Sequence, residues 1–442
     1  MQLCYIQPIQ IWWVCNLATP FWYNAALTLV KPLYRSRIRK RADSPEQLAQ
    51  ELCERFGPFQ IAKNQHAIWF HVVSVGETNA AQPLIEHYLK QGHTVLVTNT
   101  TKTGQARAKA LFEKEPYLPL FQAVYLPADQ AHLIQQFFKK YQPKLLLLME
   151  TELWPNLIDQ AKQHKVSCVL LNARLSEKSA KGYGKFPRLT RPMLQGLTQL
   201  LAQDQASYDR FIGLGATPQS AQVVGSIKFD ISAPQSFIER AAELIQEWNL
   251  RGRKILLLAS THAPEEKDLL RALKPHLDTD SSLLCIVVPR HPERFNEVFE
   301  VAQQLNLKTQ RRSFEQIVES DTQVYLADSM GELWLWYGLS HVCYVGGSLN
   351  EPGGGHNILE PIACHVPTVL GKNYFNFQSI VDEFVQAHAV VVVHNAEQAT
   401  QAMLEILAED VKATSLNAAA QVIMQQNQGS LQKHIQVIDQ YL

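Results

Sequence analysis

Two successive sets of short apolar runs, each run followed by an amphipathic stretch, leave this chain little choice of fold class. The first set reads AIWFHVVSV, HTVLVTNT, QAVYLP, KLLLLME, VSCVLLNAR, QLLAQ and QVVGS. The second reads KILLLAST, LLCIVVP, TQVYLAD, HVCYVGG, VPTVLG and AVVVVH. Stretches such as AAQPLIEHYLKQG and DQAHLIQQFFKKY lie between the runs and have helical periodicity. A strand that is apolar on both sides needs cover on both faces, and a helix after each strand is the crossover that parallel pairing requires. The pattern restarts after GSIKFDISAP. It predicts an α/β protein of two doubly wound Rossmann-like domains, 44–235 and 236–442, behind an N-terminal segment, 1–43. Ligands of such sheets sit beyond the carboxyl ends of the strands, so the chemistry is sought there.

The chain has 46% hydrophobic and 19% charged residues, which suits a globular protein rather than a disordered one. Its formal net charge of +0 gives no global attraction to nucleic acid, and none is expected as a partner. Cys4, Cys15, Cys53, Cys168, Cys285, Cys343 and Cys364 are odd in number and form no C-x-x-C pair, which argues for a reducing compartment. No His, Cys or carboxylate spacing resembles a metal cluster, and there is no G-x-x-x-x-G-K-[ST] loop. The single D-x-D, Asp278 to Asp280, precedes a strand and suits a turn. Neither a metal nor a cofactor is expected.

Residues 1–30 contain no charged side chain but include Trp12, Trp13, Phe21, Trp22 and Tyr23. Lys31, Arg35, Arg37, Arg39, Lys40 and Arg41 follow directly. A secretory signal has the reverse order of charge and apolar run. Aromatic residues beside a basic cluster fit an interface with anionic lipids, whether the segment spans the bilayer or lies on it. The excess of cations after residue 31 would put the rest of the chain on the cytoplasmic side of the inner membrane. Burial of the segment within the protein is the competing reading.

Several strand ends carry reactive groups. The first run ends in SVGET, so Glu77 begins a helix; there it is either a charge partner for the helix N-terminus or a general base. The fourth ends in METELWPN, where Glu150 and Glu152 border a buried strand and call for a cation, Arg174 or Lys228. LLCIVVP runs into Arg290 and His291, and an arginine at a strand end suits phosphate or carboxylate. ASTH, ending at His262, offers hydroxyls and an imidazole. Asp328 to Glu332 offers main-chain groups or a carboxylate for a base or ribose.

Val345 to Pro361, VGGSLNEPGGGHNILEP, is the densest signal. Five glycines and two prolines separate an apolar run from a helix-like stretch, HNILEPIACH. Glycine permits close approach of the backbone to a ligand, and a helix start offers free N–H groups to an anion. Glu360 lies one turn beyond Asn357 on the same face, within reach of sugar hydroxyls. A phosphorylated or nucleotide ligand is the expectation.

Taken together, SVGET, METELWPN, NARLS, GSIKFD, ASTH, VPRHPERF, MGEL and GGSLNEPGGGHNILEP resemble the Kdo transferases of Gram-negative lipopolysaccharide synthesis, in family order from about residue 20 to the C-terminus. The resemblance implies the GT-B fold, two Rossmann-like domains facing a central cleft. It implies inverting transfer of 3-deoxy-D-manno-oct-2-ulosonic acid (Kdo) from CMP-Kdo to the lipid A precursor, lipid IVA. Glu77 then matches the general base, and Glu150 and Lys228 match residues that stabilise the transition state. Pro289, Arg290, Met330, Gly331, Glu332, Asn357, Ile358, Leu359 and Glu360 match CMP contacts. Arg174 and His356 lie in matching motifs. Asn350-Glu351-Pro352 departs from the family's loop by adding length before the glycines. The alternatives are another GT-B transferase or an epimerase of nucleotide sugars, or a non-catalytic nucleotide binder recruited to membranes.

Overall fold

The structure, a computed structural model, describes residues 19–59 and 63–442. Trp12, Trp13, Cys4 and Cys15 lie outside them, as does most of the uncharged N-terminal run. The chain forms two compact units, Met1–Ile227 with Gly429–Leu442, and Lys228–Gln428.

The first unit opens with helices α1 (Phe21–Lys40) and α2 (Pro45–Phe56). A parallel sheet follows, with strands β1 (Ile68–His71), β2 (Val95–Asn99), β3 (Phe121–Tyr125), β4 (Leu145–Met149), β5 (Ser167–Ala173), β6 (Gln199–Ala202) and β7 (Ala221–Val223). Their order is β3-β2-β1-β4-β5-β6-β7. Helix α3 (Val75–Lys90) follows β1. The apolar run of β4 shows why both faces must be covered. Leu146 and Leu148 enter one core, while Leu145, Leu147 and Met149 enter the other, as the two-residue period of a strand dictates.

The second unit holds β8 (Lys254–Thr261), β9 (Leu283–Pro289), β10 (Thr309–Arg311), β11 (Val324–Leu326), β12 (Val342–Val345), β13 (Thr368–Gly371) and β14 (Val391–Val393). All are parallel, in the order β10-β11-β9-β8-β12-β13-β14. Again the strands split their side chains, with Ile255, Leu257 and Ala259 in one core and Leu256 and Leu258 in the other. In each sheet the order reverses beside the first strand, between β1 and β4 and between β8 and β12. Such a switch point opens a crevice at the strand ends.

The domain limits differ from those predicted. The units divide at Ile227/Lys228 instead of 235/236, and the last fourteen residues return to the first unit. Ile435, Val437 and Ile438 pack into the core of the first unit, and a buried polar joint accompanies them. His434 Nε2 accepts the Asn172 N–H at 3.0 Å, and its Nδ1 meets the Ser430 carbonyl at 2.7 Å. Tyr88 Oη donates to Asp439 at 3.0 Å on the same side. Among the described residues, no helix is long and apolar enough to cross a membrane. The described part of the N-terminal segment is instead α1, whose Tyr23 and Asn24 bond to the body of the unit.

Candidate active site

In the first unit the chemistry gathers at the switch point between β1 and β4. Ser74 caps α3, accepting the Glu77 N–H at 3.4 Å. Glu77 Oε2 in turn accepts the Val73 N–H at 2.8 Å, and Ser74 Oγ donates to Oε1 at 3.2 Å. This reciprocal arrangement is a capping box, reaching one residue further back than usual. The two readings of Glu77, helix partner and base, are therefore not alternatives, because the cap is what fixes the carboxylate. Burial pushes Glu77 up to about 8, and the charges of Glu152 and Glu150 add to the rise against the opposing bonds from Val73 and Ser74.

Glu150 occupies the left-handed region at φ 54°, a conformation that costs a residue with a side chain and that clusters at functional sites. Its N–H donates to the Leu171 carbonyl at 2.9 Å, and its own carbonyl meets the Arg174 N–H at 3.4 Å. Thr151 Oγ1 donates to the Arg174 carbonyl at 3.1 Å. The METE and NAR motifs are thus joined through the main chain of Arg174. Glu152 accepts from Trp154 Nε1 at 2.9 Å and lies 3.7 Å from His71 Nε2.

In the second unit the glycine-rich loop follows β12 at the other switch point. Several of the loop amides ahead of the helix start are bonded within the unit. Glu265, only 2% exposed at the start of the helix Glu265–Thr279, accepts the N–H groups of Gly347 (2.7 Å), Ser348 (2.9 Å) and Leu349 (2.9 Å). It also accepts the His262 N–H at 3.0 Å and the Tyr344 hydroxyl at 2.8 Å. Gly355 N–H donates to Gly347 O, and Gly354 N–H to Asn373 O. Glycine is required at Gly346, where a Cβ would stand 2.6 Å from the Thr261 Cα, and at Gly353, with φ 66° and Asn350 O at 2.5 Å. The sequence reading missed Glu265; its only local sign is a carboxylate at a helix start.

The helix after the loop is a single turn, Leu359–Ala363, so its dipole is weaker than HNILEPIACH suggested. The Ile358 and Leu359 side chains point into the core, so a ligand contact there is one made by their main chain. Asn357 and Glu360 are left facing each other, with Asn357 Nδ2 3.2 Å from Glu360 Oε1. Burial raises Glu360, opposed by the Asn357 bond and by the charge of Arg290. Arg290 itself is exposed, while Pro289 is buried at the end of β9. The Arg290 N–H donates to the Thr261 carbonyl at 3.0 Å, which sets it at the mouth of the β8 and β9 ends.

Three imidazoles join this arginine. His262 and His356 stack at 5.0 Å with their Nε2 atoms 2.8 Å apart, and His291 meets His262 edge-on at 4.9 Å. One Nε2 must donate and the other accept, so both rings cannot be cationic together. Burial and the neighbouring His262, Arg290 and His291 push His356 down to about 4.

Glu332 is held by Arg312, with Nη2 to Oε1 at 2.8 Å and Nε to Oε2 at 3.1 Å. Burial works to raise it, but the Arg312 and Ser329 bonds outweigh that and hold it below its usual range. Asp328 is likewise committed, to Arg311 and to the N–H and hydroxyl of Ser313. The exposed Met330 and Gly331, with Gly331 at φ 86°, are the free part of that turn. Lys228 is the first residue of the second unit, in the turn Ile227–Phe229. Among the described residues, no group of three or more His, Cys, Asp or Glu is arranged to hold a metal ion.

Two parallel, doubly wound units, each with reactive side chains at its switch point, make up the GT-B fold. The fold agrees with that of a glycosyltransferase from Rickettsia africae, which is 15% identical, covers 86% of this chain and 99% of its own, and superposes with a TM-score of 0.51. Residues 50–231 match the family described as 3-deoxy-D-manno-octulosonic-acid transferase (kdotransferase). The 3-deoxy-D-manno-octulosonic acid transferase of Haemophilus influenzae is 35% identical over 428 residues, 96% of this chain and 98% of that protein. The C-terminal CMP-Kdo binding domain of WaaA from Acinetobacter baumannii is 58% identical over 43% of this chain and 100% of its own, with a TM-score of 0.43. The chain belongs to the Kdo transferase family, and it is an enzyme of that kind.

Proposed function

We propose that the protein moves Kdo from CMP-Kdo to lipid IVA with inversion, using Glu77 as the general base. The observation that carries this reading is the state of Glu77: capped, half-buried beside two other carboxylates, and raised to about 8. A base works best when its pKa lies near the working pH. A carboxylate used only as a helix cap gains nothing from being raised.

In this reading the acceptor's primary hydroxyl oxygen attacks the anomeric carbon of Kdo while the bond to the CMP phosphate breaks on the opposite face. The hydroxyl proton passes to Glu77, and CMP leaves with the bonding electron pair. Arg290, the His262 and His356 pair, Asn357 and Glu360 bind the donor, and Met330 and Gly331 present their main chain to the base. Lys228 and Glu150 support the charge that develops during transfer. CMP carries a single phosphate, so cationic side chains in place of a divalent ion suffice to offset the leaving charge. We assign the chain to the cytoplasmic face of the inner membrane, with the aromatic and basic residues of α1 meeting anionic lipid.

The test is incubation of the purified protein with CMP-Kdo and lipid IVA, in the presence and absence of EDTA, with the product mass counted in Kdo units. A product heavier by whole Kdo units in both samples supports the reading. No mass gain refutes the transfer, and loss with EDTA restored by a divalent ion refutes the metal-free chemistry.

A further inference from the structure

β1 ends in His71, a fully buried histidine with one ring nitrogen left unpaired. Its Nδ1 sits 2.9 Å from Thr98 Oγ1 and 3.1 Å from the Thr98 carbonyl. Its Nε2 is buried and makes no hydrogen bond among the described residues. Glu152 Oε2 stands 3.7 Å from that nitrogen. The same carboxylate oxygen accepts from Trp154 Nε1 at 2.9 Å, and the Trp154 ring meets His71 edge-on at 6.4 Å. A gap of 3.7 Å is too narrow for an intervening water, so the imidazole and the carboxylate act on each other directly.

The bonding partners fix where the hydrogens lie. Trp69 Nε1 can only donate, and it gives its hydrogen to Thr98 Oγ1 at 2.8 Å. The Thr98 hydroxyl keeps its own hydrogen to give, and Nδ1 is within reach of it. The Thr98 carbonyl already accepts the Val72 N–H at 3.0 Å. A neutral ring that accepts at Nδ1 carries its hydrogen on Nε2, toward Glu152. The opposite tautomer sets a lone pair against a carboxylate in a buried site, which is repulsive and leaves Nε2 unpaired. A cationic ring donates from both nitrogens. In each favourable state, then, Nε2 carries the hydrogen.

We propose that His71 is a positioning residue of the transfer reaction, which holds the Glu152 carboxylate beside Glu77 through its Nε2–H. The proposal rests on the reading of Glu77 as the base. Burial raises Glu77, and Glu152 stands ahead of Glu150 among the charges that add to the rise. Where Glu152 sits therefore decides how strong a base Glu77 is. The Glu152 side chain is 20% exposed, so without the His71 donor it can turn toward water. Other ionisable groups face Glu152 as well. Tyr23 and Tyr183 border one cavity with it, and Asp129, Lys31, Arg37 and Arg55 border another. Of these, Asp129 is committed to Tyr23 and to the N–H groups of Asn156 and Leu157, and Arg55 to Glu51. All of them stay in place when His71 alone is replaced.

The experiment is the pH profile of kcat/KM for transfer from CMP-Kdo to lipid IVA by the full chain, with two substitutions of different reach. The amide nitrogen of glutamine can replace Nε2, and that of asparagine can replace Nδ1. His71→Asn therefore loses the donor toward Glu152, and its ascending limb should move to lower pH by about half a unit. His71→Gln should leave the limb at its wild-type position. In a Glu152→Gln background His71→Asn should move the limb no further, because its effect passes through Glu152. A limb that His71→Asn leaves in place overturns the proposal, even if kcat/KM falls by one factor at every pH, as a packing defect would cause. So does a limb moved equally by both substitutions, or additively with Glu152→Gln. Nitrogen NMR of the wild-type protein with isotope-labelled histidine needs no variant to fold: a hydrogen on Nε2 of His71 is expected, and one on Nδ1 alone overturns the proposal. A wild-type profile with no ascending limb refutes Glu77 as the base and takes this proposal with it, an outcome distinct from a limb that is present and unmoved.

Discussion

Glu77 and Glu265 occupy the same place in their respective units and are put to opposite uses. Each begins the helix that follows the first strand of its sheet, beside the switch point. Glu265 accepts four main-chain N–H groups and a tyrosine hydroxyl, and it is sealed from water. Glu77 accepts one main-chain N–H and a serine hydroxyl, has Glu150 and Glu152 as neighbours, and remains half-buried. A carboxylate surrounded by donors is a structural clamp. One that is desolvated with few donors beside other acids is easily protonated, and that is the property a base requires.

The comparison is broken most directly by exchanging the acid for its amide. Glu77→Gln should lower the transfer rate by about 10²–10⁴, the usual contribution of general base catalysis, while CMP affinity by calorimetry stays within twofold. Undiminished transfer would remove Glu77 from the mechanism. Glu265→Ala should do the reverse of a catalytic lesion. It strands several buried donors, each costing roughly 1–3 kcal/mol, so a loss of stability of at least about 3 kcal/mol is expected in denaturant melts. CMP affinity should fall with it as the loop loosens, and a stable variant with unchanged affinity would contradict the clamp.

Stability against pH sharpens the contrast. The folded pKa of Glu77 is raised from 4.5 to about 8, so the folded chain binds more protons than the unfolded chain in that window. Its contribution is favourable at low pH and is lost as pH rises from 4.5 through 8. Glu77→Gln should therefore melt a few degrees higher than wild type above pH 8, the reverse of what loss of an ordinary cap would do. His356 and His434 act at the other end, each lowered from 6.5 to about 4 by burial, with the neighbouring cations adding to the shift of His356. Here the unfolded chain binds the extra protons, so stability falls as pH drops from 6.5 toward 4. Replacing His434 with Gln should flatten that slope in thermal melts, and an unchanged slope would show that its joint to Asn172 does not titrate with folding.

The strands were legible because a doubly covered sheet demands uninterrupted apolar runs, and KLLLLME or KILLLAST fit nothing else well. β10 was not, since Thr309-Gln310-Arg311 is a three-residue edge strand with no such run. Nor was the return of the C-terminal helix to the first unit, because His434 and Asn172 are far apart in sequence and no local pattern links them. At the sites, the motifs placed Glu77 and Arg290 at strand ends where the structure has them, and Asn357 beside Glu360. The clamp on the glycine loop was not legible, because the acceptor of the Gly347, Ser348 and Leu349 N–H groups, Glu265, is supplied from a different strand end. The side chains of Ile358 and Leu359 belong to the core, which leaves their main chain as the part that can meet a ligand. Positions and local geometry are written in the sequence, whereas the partners that use up a hydrogen bond are set by tertiary packing.

The central claim, that a raised Glu77 is the reacting base, is tested most directly by the pH profile of kcat/KM for transfer to lipid IVA, measured for wild type and Glu152→Gln. The wild-type profile should climb with unit slope and level off near pH 8, as expected for a base that must lose its proton. Removing the Glu152 charge should move that limb to lower pH. A profile flat between pH 6 and 9, or a limb that Glu152→Gln leaves in place, would contradict the account.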